Sequence, residues 1–384
     1  MQNDPKQIVI PKQKVPRSIK VRLVAAAVLA LLCPAIWYVF SSFGDAFFPT
    51  YRIFSKGLLG VQATLASFAP FALWDFLTVG LIIAAIISLI VRIVRKRSLI
   101  AWFSTVACVL SATAFLFVGG WAVNHYAPPL SRDLGLDVEQ YSNEQLAEAC
   151  AYYYQQAAQL ADQVPRDEEG ELVPQDFFEL ARIAGASYAN ISDQYPVFDG
   201  TTVPVKALLL AGDPLLYSGH VGIFFSPTAE SSVPLNCASS EMPFTMCHEA
   251  AHRMGLASEE EANFAAIMAC TANSDARFTY AGYYLAFCYC HNALSDSNPE
   301  LAQYLTDLAA KSSLADGAHL IAQDRYATYL HYLPYEGPAK ETGTQVNDTY
   351  LKTFGEETGV RSYGLVVDYL IAWYEQSSPQ LQKP

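Results

Sequence analysis

A chain of 384 residues that is 52% hydrophobic carries 37 acids against 24 bases, for a net charge of -13. The charge is divided: residues 1–121 hold +9 and the remainder -22. So acidic a rear argues against nucleic acid as a partner, and the length allows one large domain or two ordinary ones.

The front opens with a basic tail, residues 1–22, containing Lys6, Lys12, Lys14, Arg17, Lys20 and Arg22. Three apolar stretches follow, at 23–41, 76–91 and 99–121. The second gains length from Leu73 and Trp74 upstream. A helix crossing about 30 Å of hydrocarbon needs about 20 apolar residues, because its backbone must satisfy its own hydrogen bonds. Three transmembrane helices are therefore expected over residues 23–121. Arg92, Arg95, Lys96 and Arg97 join the second and third. The positive-inside rule puts that cluster and the basic tail in the cytoplasm, with 42–72 and everything after about 122 outside the cell membrane. The first stretch lacks a small-x-small cleavage site and is expected to stay as an anchor.

Pro128 and Pro129 break the chain after the third stretch. The outer part, 122–384, then reads as mostly helical. Ser142 with Gln145 forms a capping-box start for a helix over about 143–163, and another follows Pro174. "VPVKALLL", "HVGIFFS" and "SSVPLN", within 203–236, are short and β-leaning, as in a small sheet. Helical patterning returns at about 243–256, 258–273, 276–294, 298–311 and 315–332. A polar stretch, 334–362, reads as a solvated loop or, through Asn347, Asp348, Tyr350 and Lys352, as a binding surface, and precedes a last amphipathic helix, 363–376. Six cysteines fall in this part; they permit disulfides, free buried thiols being no less compatible with the pattern. Cys288 and Cys290 in "FCYCH" sit in an aromatic helical run and are expected to pack in the core.

The chemistry concentrates in "PFTMCHEAAHRMGLASEEEANFAAIMAC", residues 243–270. His248 and His252 lie one helical turn apart on one face, so both imidazoles can reach one ion, Zn2+ being the usual one. Glu249 stands at the edge of that face as a general base. The pattern is H-E-x-x-H, a metallopeptidase signature. A third ligand is needed. Ser258 stands where a metzincin carries its third histidine, which leaves Glu259, Glu260 and Glu261. Helical phase favours Glu261, which shares a stripe with Phe264, Ala265 and Met268, although Ser258-x-x-Glu261 also reads as a capping box. Tyr280, Tyr283 and Arg277 are candidates for oxyanion or supporting roles. "VGIFF" (221–225) is a candidate edge strand for an extended peptide.

At these residues the chain resembles a zincin, and "EEEANFAAIMAC" is similar to the Glu-Ala-Asn-x-Phe-Ala-Ala stretch of IrrE/ImmA-type metallopeptidases, whose glutamate ligand corresponds to Glu261. "NHYAPPL", "PFTMCHEAAHRMGLASEEEANF", "NSDARFTYAGY", "YEGPAKETGTQVNDTYLK" and "GVRSYGLVVDYLIAWY" resemble domain-of-unknown-function family 3810, bacterial membrane proteins. That resemblance covers most of 20–376 and implies membrane anchoring and a metalloprotease-like site, with no substrate; the linker departs from the family pattern at His125 and Ala127.

The expectation is a membrane-anchored α+β protein: three transmembrane helices, then a mostly helical, zincin-like domain with a small β-sheet. It would hydrolyse peptides or proteins of the cell envelope, with Zn2+ on His248, His252 and Glu261 and Glu249 as base. The alternative is a non-hydrolytic, metal-dependent envelope binding or sensing module. Intramembrane proteolysis is disfavoured, because His248 lies 127 residues beyond Trp121.

Overall fold

The computed structural model describes residues 16–353 and 363–377; Lys6, Lys12 and Lys14 of the basic tail lie outside them. Three helices come first: α1 (Arg17–Ala66), α2 (Leu73–Val94) and α3 (Leu99–Gly120). All three are long and apolar enough to cross a membrane. At 1.5 Å per residue, the 22 residues of α2 and of α3 give about 33 Å each, close to the hydrocarbon thickness.

α1 is longer than its expected span. It runs for 50 residues, through Pro34 and Pro49, and breaks once at the non-helical Phe43. Its first half runs parallel to α3: Arg22 donates to Thr105 at 3.0 Å, and Ile36 stands beside Gly119. Its second half returns to the same level. Ser55 donates to the Gly120 carbonyl at 3.1 Å, and Leu59 packs with Trp121. Residues 44–66 therefore cross the end of α3 instead of leading away from it.

The rest is mostly helical with one small sheet. In chain order it comprises α4 (Leu130–Leu134), α5 (Asn143–Leu160), α6 (Phe177–Ala186), β1 (Lys206–Leu208), α7 (Gly212–Tyr217), β2 (Ile223–Phe225) and β3 (Glu230–Pro234). Then come α8 (Met242–Arg253), α9 (Glu259–Thr271), α10 (Ala276–Ser297), α11 (Pro299–Ala310), α12 (Ala315–Tyr332), α13 (Pro338–Thr353) and α14 (Tyr363–Ser377). The Ser142–Gln145 capping box starts α5 as expected. The sheet order is β1-β3-β2; β3 is parallel to β1 and antiparallel to β2. The core gathers α5, α8, α9, α10 and α14 around Tyr153, Phe264, Phe278 and Phe287, all buried. All eight cysteines are unpaired, and Cys290 is fully buried in α10. The polar stretch from 334 is not an open loop: 338–353 is helix α13, and 354–362 lie outside the described residues.

Four groups tie the sheet to the linker between α1 and α2. The Glu230 carboxylate accepts from the Leu73 and Trp74 amides at 2.8 and 3.0 Å, capping α2 where its backbone donors are free. Asp75 accepts from the amides of Leu209, Leu210 and Ala211. Buried Lys206 donates to the carbonyls of Ala66 and Ala69. The Ala72 amide donates to the Ala207 carbonyl at 2.9 Å. The linker between α1 and α2 and the sheet are thus one packed unit.

Candidate metal centre and cleft

Helix α8 starts with Pro243 in its first turn and ends at Arg253. Gly255, at φ +93°, reverses the chain, and Ser258 caps α9. The reversal turns the Leu256 carbonyl to within 2.7 Å of His252 Nδ1. A carbonyl only accepts, so Nδ1 carries the proton and Nε2 keeps its lone pair, the usual orientation of a metal-binding imidazole. His252 Nε2 lies 3.1 Å from His248 Nε2. Two lone pairs at that distance repel unless a proton or a cation lies between them.

The third group is Glu259. Its carboxylate lies 3.3 Å from His248 Nε2 and 3.7 Å from His252 Nε2, and one donor atom from each residue falls within 4.8 Å of the others. Two nitrogens on one tetrahedral zinc, at about 2.0–2.1 Å each, stand about 3.3 Å apart, so the three residues fit a divalent ion with little adjustment. Burial works to raise the Glu259 pKa, but the His248 hydrogen bond and the charges of both histidines outweigh it and hold the carboxyl at about 2. Burial works to lower His248, yet Glu259, with Glu249 and Asn263, leaves it raised; His252 is pushed down to about 4, chiefly by burial.

Glu249 is 4% exposed, and its Oε2 has no hydrogen-bond partner. Burial pushes its carboxyl up to about 8, with His248 opposing and Glu259 adding. A buried carboxylate oxygen without a partner is costly and rare. Beside two imidazoles and the Glu259 carboxylate, it can hold a water.

The geometry corrects the choice of Glu261. Its Oε1 accepts from the Leu130 amide at 2.7 Å and from the Tyr369 hydroxyl at 3.0 Å, which ties α9 to α4 and α14. The stripe shared with Phe264 is buried, as expected, but it faces α14, where Phe264 stacks on Tyr369. The glutamate mapped from the IrrE/ImmA-type stretch is therefore not the one beside the imidazoles. Tyr280, Tyr283 and Arg277 also point elsewhere. Tyr280 donates to Asp324, which forms an ion pair with Arg166 at 2.8 Å. Arg277 binds Asp275 and Glu179, and Tyr283 packs on Tyr152. None of the three lines the cleft.

That cleft, about 1170 Å3 in volume, contains His248, Glu249, His252 and Glu259. His220, Asn263 and Tyr289 also line it, and sequence reasoning passed over all three. His220 immediately precedes the "VGIFF" segment, and Asn263 shares the helical stripe of Glu259, so both had a positional signal. α13 contributes Lys340, Thr344, Asn347 and Tyr350 to the cleft. A family model described as "Protein of unknown function (DUF3810)" matches residues 51–371. No curated protein and no solved structure matches the chain.

Proposed function

The chain belongs to the DUF3810 family of proteins of unknown function, and from that premise we propose that it is a membrane-anchored, zinc-dependent peptidase with its site outside the cytoplasmic membrane. One observation carries the reading: the Glu249 carboxylate, whose Oε2 has no hydrogen-bond partner, lies buried in one cleft with His248, His252 and Glu259, whose donor atoms are within 4.8 Å of one another. Bound by these three residues, a zinc ion would bring the pKa of a coordinated water into the neutral range and stabilise negative charge on a carbonyl oxygen.

The remaining work falls to the chain. Glu249 takes the proton of the attacking water and returns it to the leaving amine. The Leu256 carbonyl holds the His252 ring in place through Nδ1. His220 lines the same cleft and can donate to the developing oxyanion. Strand β2 pairs only with β3 among the described residues, and its residues line the cleft. An extended substrate can add to that outer edge through main-chain hydrogen bonds and pass over the ligands.

Two measurements on the full-length protein test this. It should retain zinc after purification and lose it in His252→Ala. It should hydrolyse members of a peptide library, and Glu249→Gln should slow this by about 10²–10⁴-fold; wild-type rates in Glu249→Gln would exclude Glu249 as the base.

The second reading, a metal-dependent binding or sensing module, is favoured by α13, whose polar Lys340, Thr344, Asn347 and Tyr350 form one wall of the cleft. A protein that binds zinc and one defined envelope ligand, yet hydrolyses nothing, would support it.

A further inference from the structure

The cleft has a wall that the peptidase reading does not use. Leu110, Thr113, Ala114, Phe117 and Trp121 all line it. Their spacing of three, four, seven and eleven residues marks one face of a single helix. Trp121, at the end of α3, sits edge-on to His252 with ring centroids 6.0 Å apart. Leu110 lies about 16 Å further down α3 at about 1.5 Å per residue, about half the hydrocarbon thickness. Leu110, Thr113 and Ala114 are exposed. One helix face thus runs from the middle of the bilayer to the ligand cluster.

A second feature places the bilayer surface. In the returning half of α1 and just past it, Phe43, Phe47, Phe54, Val61, Leu65 and Phe68 are each more than half exposed. They recur at intervals of four, seven, seven, four and three residues, which is one helical stripe. The polar side is engaged with the domain: Arg52 pairs with Asp133 at 2.8 Å, and Lys56 donates to the Asp199 carbonyl at 2.8 Å. Because this half-helix connects two apolar spans, the surface that covers its stripe is lipid. It lies across the end of α3, so the end of α3 and the His252 site beside it are at the membrane surface.

We propose that the substrate is a membrane-anchored polypeptide, cut a few residues beyond the point where its own span leaves the bilayer. Its span would lie against the Leu110–Phe117 face, and the emerging chain would pass Trp121 to reach Glu249 and the edge of β2. This rests on the peptidase reading and assigns it a substrate class. The bond broken is an ordinary amide; water supplies the hydroxyl of the new carboxylate and the proton of the new amine.

The test uses full-length protein in lipid vesicles with three versions of a reporter that carries a randomised segment. In one the segment directly follows a single apolar span. In another a flexible spacer separates them, and in the third the span is deleted. Cleavage of the directly anchored version should exceed that of the detached one by at least about tenfold, and in the spacer version the cuts should stay beside the span. Equal cleavage of anchored and detached reporters, or cuts that move outward with the spacer, would overturn the proposal and spare the peptidase reading. A photo-crosslinker at Thr113 in Glu249→Gln protein should capture the reporter's span; capture of lipid alone would make the face a lipid seat and overturn it too. Failure of the wild type to cut any version, or cutting unchanged in Glu249→Gln, would overturn the peptidase reading, and this inference with it.

Discussion

Gly222 and Glu249 are in such close contact that a β-carbon on Gly222 would fall 2.3 Å from Glu249 Oε1. The obstructed group is the end of a flexible side chain, not backbone, so Gly222→Ala should fold while displacing the carboxylate. The expected outcome is a loss of peptide hydrolysis approaching that of Glu249→Gln, with zinc content and melting temperature near wild type. Hydrolysis and zinc content measured on the same preparations check this.

Glu259 and Glu261, both in the first turn of α9, should separate cleanly. Glu259→Gln should weaken zinc binding by more than the about 10–100-fold typical of an outer-sphere partner. Glu261→Ala should retain zinc but lower the melting temperature, because the Leu130 amide and the Tyr369 hydroxyl both donate to Oε1 of that side chain and would lose their acceptor. Zinc titration with a competing chelator, beside thermal melts, reads both.

Glu241 gives a pH dependence. Burial pushes its carboxyl up to about 7 from an ordinary 4.5. Below pH 4.5 folded and unfolded chains both hold the proton, and its contribution to stability is complete. Between pH 4.5 and 7 the unfolded chain has lost the proton while the folded one keeps it, so stability falls as pH rises, by about 3 kcal/mol at most. Above pH 7 the slope ends. Melting temperatures across this window should fall more steeply with pH in wild type than in Glu241→Gln.

Glu230 joins the sheet to α2. Glu230→Ala would leave Lys206 buried without its carboxylate, 3.8 Å away, and would uncap the Leu73 and Trp74 amides. A loss of about 3–5 kcal/mol is expected, seen as a large drop in melting temperature. Glu230→Gln, which keeps an acceptor, should lose less.

Much of the architecture could be read along the chain, because its signals are local. The three apolar runs became α1, α2 and α3. Five helices between 243 and 332 appeared within a few residues of their expected ends, and the three β-leaning segments became the three strands. The polar stretch from 334 was misread because α13 has only one buried residue, Leu351, among its sixteen. A helix held by its rim position lacks the apolar stripe that would announce it.

Helical phase did not find the glutamate that stands beside the imidazoles, for the opposite reason. In α9, Ala262 and every residue from Phe264 to Cys270 are buried, so the helix has no solvent face from which to judge which side is inward. Glu261 is on an inward side, but that side meets α14, while the side with Glu259 and Asn263 meets the imidazoles.

The sequence alone determined the three apolar helices and the one-turn spacing of His248 and His252, since both depend on contacts within one or two helical turns. It could not determine what lay across from them. The place of Glu259 beside the imidazoles, of Gly222 against Glu249 and of Trp121 beside His252 was decided by the tertiary structure. Those contacts depend on the turn at Gly255 and on packing between elements up to 131 residues apart, from Trp121 to His252, and side-chain periodicity carries no information at that range.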